Sequence, residues 1–521
     1  MSCAGGGAGR PGRARELVAA IVFFALAGCS LAPPYRPPHY VLPADWRGQR
    51  PFGVANPRDT LPRGPWWEQF GDPLLSQLEE QLDAQNPTLA AMYEQYVQAR
   101  DAAAVARSVL YPQISVEAQA SHNLQSTNAL FKNPALTQFE NQDNAVLEGL
   151  GSWQLDFWQR IRNQVRQEAR LAQSSAALVA NARLSLQTQL ADDYIALRGF
   201  DQLAVIYRSS VAEYQTSVNI TELRLHGKIG SMLDVRRAQA QLGSTEALES
   251  ANLANRSVLE HAIAVLVGAD ASTFAIPPNP NSGLRNPAVP VGVPAQLLER
   301  RPDIASAERQ MAAANAGIGV TRAAFFPNVT ISGTSGFEDS GLNLFTLPNV
   351  FWSIGASAVQ PLFEGGLRRA QLQSSWAQFE LTRDDYRATV LTAFQQVEDG
   401  LALSQSLKSQ TQSLQQAVVA ANDAVVLTQQ LYIGGIITYL DVVVAQETAL
   451  TTAISSVQAS TLQLQTTVNL IGALGGGWTT ENLPSEKAVQ PFNAADVLNH
   501  PRWPRPDGTG EAGLEASQPP Q

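Results

Sequence analysis

The chain holds two copies of one pattern, and this duplication limits the possible folds more than any other feature. Residues 86–112 (NPTLAAMYEQYVQARDAAAVARSVLYP) line up with 301–327 (RPDIASAERQMAAANAGIGVTRAAFFP), so that Pro87 maps to Pro302 and Pro112 to Pro327, an offset of 215. Further on, 225–239 (LHGKIGSMLDVRRAQ) matches 432–446 (YIGGIITYLDVVVAQ) with an offset of 207. The first copy therefore carries about eight extra residues, expected in the polar loop around 122–144. A supersecondary unit repeated in this way is built to pack beside its own copy.

Each copy reads as helix, strand, loop, strand, very long helix, sharp turn, long helix. From 158 to 225 there is no proline and one glycine, Gly199. At about 1.5 Å per residue such a helix is about 100 Å long. The second copy, about 366–433, is equally long. Their partners are expected over about 233–267 and 440–474, and the helices ending at Leu110 and Ala324 could extend those layers. Helices this long have no globular core to wrap and must pack as antiparallel, coiled-coil-like hairpins. Their many Gln, Ser, Thr and Ala residues suit a face that meets water.

The expected strands alternate with period two. Ile114, Val116, Ala118 and Ala120 oppose Ser115, Glu117, Gln119 and Ser121; Val329 and Ile331 oppose Thr330, Ser332 and Thr334. The returning strands set Trp153, Leu155 and Phe157 against Ser152, Gln154 and Asp156, and Trp352, Ile354 and Ala356 against Ser353 and Ser357. One face is wet and the other apolar. A sandwich strand shows the same alternation, but the lengths also approach the roughly 9–11 residues of a bilayer-spanning strand. Trp153, Phe157, Phe351 and Trp352 would then form an aromatic girdle, or else pack between strands.

Composition narrows the class further. The 521 residues carry 36 Lys+Arg against 46 Asp+Glu, a formal charge of −10, and no basic block, which argues against a nucleic-acid partner. Only 16% of residues are charged, yet apart from one N-terminal stretch no segment approaches the roughly 18 apolar residues of a membrane-spanning helix. A multi-helix membrane protein is excluded. The five histidines are scattered without metal spacing, and neither a nucleophile elbow nor a phosphate loop occurs. Gly475, Gly476 and Gly477 read as a helix stop. The sequence points to no enzyme, metal site or cofactor.

The N-terminus reads as an export signal: Arg10, Arg13 and Arg15, an apolar core from Leu17 to Leu26, then LAGC ending at Cys29. The string resembles a bacterial lipobox, which would make 1–28 the leader, with Cys3 inside it, and Cys29 the acylated first mature residue. Ser30 in place of Asp resembles the outer-membrane address. Nine prolines between 33 and 65 predict that 29–65 is an extended tether rather than a folded element. Six more between 277 and 294 mark a linker, so the repeats span 66–276 and 295–478, and 479–521 forms a mobile tail.

One chain offers four barrel strands, which cannot close. An open edge in lipid would leave backbone groups unsatisfied, so several chains must assemble. Two copies give eight strands, whose side chains fill the interior, whereas three give twelve strands with a usable lumen.

Three motifs carry a family resemblance: PWWEQFGDPLLSQL at 65–78, the long segment VPAQLLERRPDIASAERQMAAANAGIGVTRAAFFPNVTISGTSGF at 293–337, and the paired LDV…AQ helix turns. With them the chain resembles the outer membrane factor family of TolC-like export ducts, and its NodT-type lipoprotein branch. The resemblance implies an α+β membrane protein. It would be a homotrimeric twelve-stranded transmembrane β-barrel, four strands per chain, continued by a long periplasmic α-helical barrel.

The implied function is a passive duct in the outer membrane lipid of a Gram-negative bacterium. It would pass drugs or other small molecules from an inner-membrane RND-type pump through a periplasmic membrane-fusion adaptor, an ABC-type pump being the variant. On the family pattern Gly227, Gly230, Ser231, Gly434, Gly435 and Thr438 form the adaptor-docking tip, and Asp234 and Asp441 line the periplasmic gate. Two departures stand out: Lys228 sits where Gly435 sits in the second copy, and Val444 replaces a frequent second acid. The plainer reading of Ser231/Asp234 and Thr438/Asp441 is a capping box at each helix start. The alternative to the duct is a lipid-tethered periplasmic coiled-coil scaffold without channel activity.

Overall fold

The computed structural model describes residues 30–38, 46, 65–124, 141–289, 300–339, 346–486 and 488–489. Among these lie seven helices of at least three turns and four strands. The helices are α1 (Pro73–Gln85), α2 (Pro87–Ser108), α3 (Arg160–His226), α4 (Met232–Leu266), α5 (Pro302–Ala323), α6 (Leu367–Ile433) and α7 (Tyr439–Ala473). The strands are β1 (Gln113–Leu124), β2 (Asn141–Leu155), β3 (Asn328–Asp339) and β4 (Val350–Val359). The two copies match helix for helix: 22 residues in α2 and α5, 67 in α3 and α6, 35 in α4 and α7. The extra length of the first copy lies between β1 and β2 and in the longer β2, as the polar loop predicted.

Local chemistry sets the helix starts. Asp72 accepts from the Leu74 N–H at 3.0 Å and Pro73 follows it. Asn86 accepts from the Leu89 N–H at 2.8 Å, again with proline next. A proline in the first turn loses nothing, because its N–H would have had no helical partner there.

The long helices are the rails of a single layer. α3 packs against α2 and α4 on one flank and α5 and α7 on the other, while α6 packs against α5 and α7. The short helices extend the returning ones end to end. At the joint of α4 and α2, the Asn86 amide donates to the Leu266 carbonyl at 2.7 Å. At the joint of α7 and α5, Arg301 donates to the Ala473 carbonyl at 2.9 Å. A glycine with positive φ closes each joint: Gly268 (φ 70°), where a Cβ would lie 2.5 Å from the Gln85 carbonyl oxygen, and Gly475 (φ 94°), where it would lie 2.1 Å from that of Arg300.

Outside this layer sits a collar that the repeat pattern does not contain. A short 3-10 helix, Trp66–Phe70, and α1 press Trp66, Phe70, Leu75, Leu78 and Leu82 onto Leu190, Tyr194 and Leu197 of α3, Ile263 of α4, and Val468 and Ile471 of α7. A buried ion network fixes the linker beside it. Asp201 bonds Arg198 at 2.9 Å and Arg256 at 2.7 Å, and the two guanidiniums donate to the carbonyls of Pro277 and Ile276. Tyr194 donates to Asp72 at 2.6 Å. Buried charges persist only when paired in this way, and removing one partner costs about 3–5 kcal/mol.

The expected tether is extended but not free over its described part. Ser30 donates to Asn163 at 3.0 Å, Asn315 and Arg322 donate to the carbonyls of Pro33 and Leu31, and Tyr35 donates to Glu308 at 2.6 Å. The segment is a strap laid along α5. Gly319 makes room for it, since a Cβ there would approach Asn163 to 2.5 Å and Ala32 to 2.8 Å. Trp46 is buried against Ile304, Tyr386 and Val390. Cys29 and the leader, like residues 490–521 of the tail, lie outside the described residues.

Candidate functional site

The four strands form one antiparallel sheet in the order β1-β2-β3-β4. The register assigns every side chain to a face, because Gln113 pairs with Ser152, Ser152 with Ser332, and Ser332 with Gly355. One face carries Ile114, Val116, Leu147, Trp153, Ile331, Phe337, Trp352 and Ile354. The other carries Gln113, Ser115, Glu117, Gln119, Asn144, Glu148, Ser152, Thr330, Thr334, Glu338 and Ser353. The apolar face is bare in the single chain: Ile114 is 82% exposed and Trp352 73%. So large an apolar patch marks a face that meets lipid or another chain.

The polar face is acidic. None of the four strands contains Lys or Arg. Glu117 stands directly opposite Glu148, whose carboxylate accepts from the Thr334 hydroxyl at 2.6 Å. Glu338 accepts from Asn144 at 3.2 Å.

Two of the four girdle residues do not share the apolar face. Trp153 and Trp352 lie on it, but Phe351 lies on the polar face, as the neighbour of Trp352 in an extended strand must. Phe157 falls in the turn after β2 ends at Leu155. Other aromatics gather where strands meet helices. The Trp158 ring stacks on Phe326 at 4.6 Å and donates to the Pro327 carbonyl, and Trp153 donates to the Leu110 carbonyl, each at 3.0 Å. From Pro327 to Phe337 a strand rises about 33 Å, or about 25 Å at a tilt of about 40°, the height of a barrel's apolar band. Trp158 and Phe326 were missed because they flank the strands rather than alternate within them.

At the far end of the layer, the turns after α3 and α6 are built alike. Gly227 and Gly434 donate to the carbonyls of Leu223 and Gln430, and Ile229 and Ile436 to those of Arg224 and Leu431. Lys228 and Gly435 both adopt positive φ, 58° and 74°. Gly230 has no room for a Cβ, which would lie 2.9 Å from the Arg224 backbone. Ile229 and Ile436, one at each turn, are 70% and 72% exposed. Sequence reasoning passed over both, although their equal place in the repeat was visible.

The expected capping box is complete at the second turn, where Thr438 also accepts from the Asp441 backbone N–H, and only half formed at the first. The Ser231 hydroxyl accepts from the Leu233 N–H at 3.0 Å. At the second turn the Asp441 carboxylate accepts from the Thr438 N–H at 3.0 Å and hydroxyl at 2.8 Å. The turns are tied together by Arg224, which donates to the carbonyls of Tyr432 and Ile433 at 3.1 Å and lies over the Tyr432 ring. Tyr432 packs on Tyr439 at 5.3 Å. Burial pushes the Tyr439 hydroxyl up to about 12, with Tyr432 and Asp234 adding to it. Asp234 thus lies near both tyrosines.

A two-faced sheet mounted on a duplicated helical layer defines a class, the TolC-like channel fold. The outer-membrane channel OprN shares it with a TM-score of 0.80 at 28% identity, covering 86% of this chain and 100% of that one. The chain belongs to the outer membrane efflux protein family, whose pattern matches residues 78–269 and 293–476. The Pseudomonas putida protein described as the probable efflux pump outer membrane protein TtgC is 29% identical over 462 residues, 88% of this chain and 95% of that protein. Nodulation protein T of Rhizobium leguminosarum bv. trifolii is 28% identical over 461 residues, 87% and 95% of the two chains.

Proposed function

We propose that the chain is the outer-membrane channel of a tripartite efflux system, a passive duct rather than an enzyme. The observation that carries this reading is the sheet with one apolar face, one wet face and two open edges, continuous with a helical layer that is open at α6. By the repeat, the open flank of α6 corresponds to the flank of α3 that α5 and α7 cover. A second chain's α2 and α4 would fill it, and its β1 would pair with β4. Three chains close twelve strands around a lumen, with the acidic face inward and the apolar face in lipid. Trp153 and Trp352, with Trp158 and Phe326, would form the aromatic girdle.

Acylation at Cys29 would anchor the strap at the outer membrane, a reading supported by Ser30 being held beside the start of α3 at Asn163, close below the sheet. The turns at Gly227, Gly230, Ser231, Gly434, Gly435 and Thr438 would dock a periplasmic membrane-fusion adaptor, with Ile229 and Ile436 supplying apolar contact. Asp234 and Asp441 would ring the gate, and an inner-membrane RND-type pump would load the duct. The lipid-tethered scaffold is disfavoured, because it leaves the bare face of Ile114, Val116 and Trp352 in water.

The native mass of the detergent-extracted protein, with its conductance in a planar bilayer, tests this. Three chains and a stable conductance are expected. One or two chains, or release of Cys29→Ala protein from the membrane fraction, would favour the scaffold.

A further inference from the structure

Where α3, α6 and α7 converge beside the N-terminus of α5, the layer encloses a cleft of about 720 Å³, within the range of small-molecule sites. Helix periodicity fixes which side it faces. On α7, Leu464, Val468 and Ile471 point into the collar core, whereas Gln465 and Asn469 line the cleft, about a third of a turn away. On α3, Leu190, Tyr194 and Leu197 face the collar, whereas Asp192 lines the cleft. The cleft therefore opens opposite the collar, on the side that becomes the bore of the tube proposed above.

Its walls combine apolar and anionic groups. Leu403 and Leu462, each about half exposed, supply aliphatic surface and Asp192 and Asp399 the charge. The cation in the lining, Arg301, is already engaged: it bonds Asp303 at 2.9 and 2.6 Å, Gln396 at 2.8 Å and the Ala473 carbonyl. Asp192 is held by Asn469, which donates to one carboxylate oxygen at 3.0 Å. Its other oxygen is buried with no hydrogen-bond partner. The carboxylate lines the cleft with a neutral amide as its donor and no protein cation on either oxygen, so its charge is left for a cation in the cleft to meet.

We infer that this cleft is a transient binding site for amphiphilic organic cations passing along the bore. Asp192 meets the charge, with Asp399 adding to the field, and the leucines take the apolar body. The inference rests on the duct reading, since only a closed tube makes this side a bore. Burial pushes the Asp192 carboxyl up to about 7, the Asn469 bond opposing and Asp193 adding. The charged groups facing it across the cleft are Asp399 on α6 and the Arg301–Asp303 pair on α5. Capture should therefore strengthen as pH rises through neutrality.

Calorimetric titration of the detergent-solubilised full chain with tetraphenylphosphonium tests this, against tetraphenylborate, which has the same shape and opposite charge. Saturable binding of the cation alone is expected, tighter at pH 8 than at pH 6. It should weaken about tenfold in Asp192→Asn, which keeps an acceptor for Asn469, and about threefold in Asp399→Asn. Equal binding of the anion, unchanged affinity in both variants, or no saturable binding overturns the assignment. Conductance of the same sample separates the two readings: a conducting protein that does not bind the cation loses only the cleft, and a non-conducting one loses the duct.

Discussion

Lys228 and Gly435 hold the same position in the two copies of the tip turn, and both have left-handed backbone, φ 58° and 74°. The position needs that conformation because the next residue, Ile229 or Ile436, must turn back to bond the carbonyl of Arg224 or Leu431. Glycine adopts it freely, whereas a residue with a Cβ pays about 1–2 kcal/mol. Lys228→Gly should therefore stabilise the first turn by about 1 kcal/mol. Slower amide exchange over 224–231 than in the wild type is the expected result, and unchanged exchange would mean the strain is relieved elsewhere.

The joint glycines should tolerate far less. At Gly475 a methyl group would meet the Arg300 carbonyl at 2.1 Å, and at Gly268 the Gln85 carbonyl at 2.5 Å, both at positive φ. Gly475→Ala must separate α5 from α7, and a loss of about 3 kcal/mol or more is expected from overpacking together with backbone strain. Asn86→Ala leaves the Leu266 carbonyl without its donor and should cost about 1–2 kcal/mol. Denaturant midpoints should rank wild type above Asn86→Ala above Gly475→Ala.

Glu79 on α1 should give the collar a pH dependence. It is fully buried in the described structure, neither carboxylate oxygen has a hydrogen-bond partner, and burial raises its pKa well above the ordinary 4.5, Asp83 adding and Arg183 opposing. The folded chain thus keeps this proton after the unfolded chain has lost it. The contribution of Glu79 to stability is full below about pH 4.5 and is lost as pH rises through the folded pKa, by at most about 1.4 kcal/mol per pH unit. Glu79→Gln should flatten this dependence, which unfolding curves collected from pH 4.5 to 9 would reveal. A wild type with no such fall would show that water reaches the carboxylate.

Arg224 should govern how firmly the two hairpin tips hold together. It is the donor to both terminal carbonyls of α6, at Tyr432 and Ile433. Arg224→Ala removes two charge-assisted bonds, together about 2 kcal/mol or more at a half-buried place. Larger single-channel conductance in planar bilayers is the expected outcome, and conductance equal to wild type would leave Arg224 a purely structural clasp.

Much of this was legible in the sequence because proline and glycine punctuate it. The 67-residue helices begin and end within two residues of the proline-free stretches that predicted them, and four strands stand where period two placed them. The collar was harder to read. Asp72-Pro73 is an ordinary helix start, but nothing in it says that Trp66 and Phe70 turn inward onto Tyr194. The strap's prolines announced an extended chain without saying that α5 would hold it. Phe351 was grouped with Trp352 for its aromaticity, although adjacent strand residues must face opposite ways. The cleft at Asp192 could not be foreseen, because it is made by the lateral order of helices from both copies.

The equal lengths of matching helices carry a consequence for how such a protein can change. Reach is written twice in the chain, once in α3 with α4 and once in α6 with α7. Deleting seven residues from each arm of one hairpin alone would leave its turn about 10 Å short of the other. Arg224 could then no longer meet Tyr432, and the rim would be uneven. Only a matched pair of deletions keeps the ends flush, so inheritance can lengthen or shorten this protein in coupled steps while single steps are discarded.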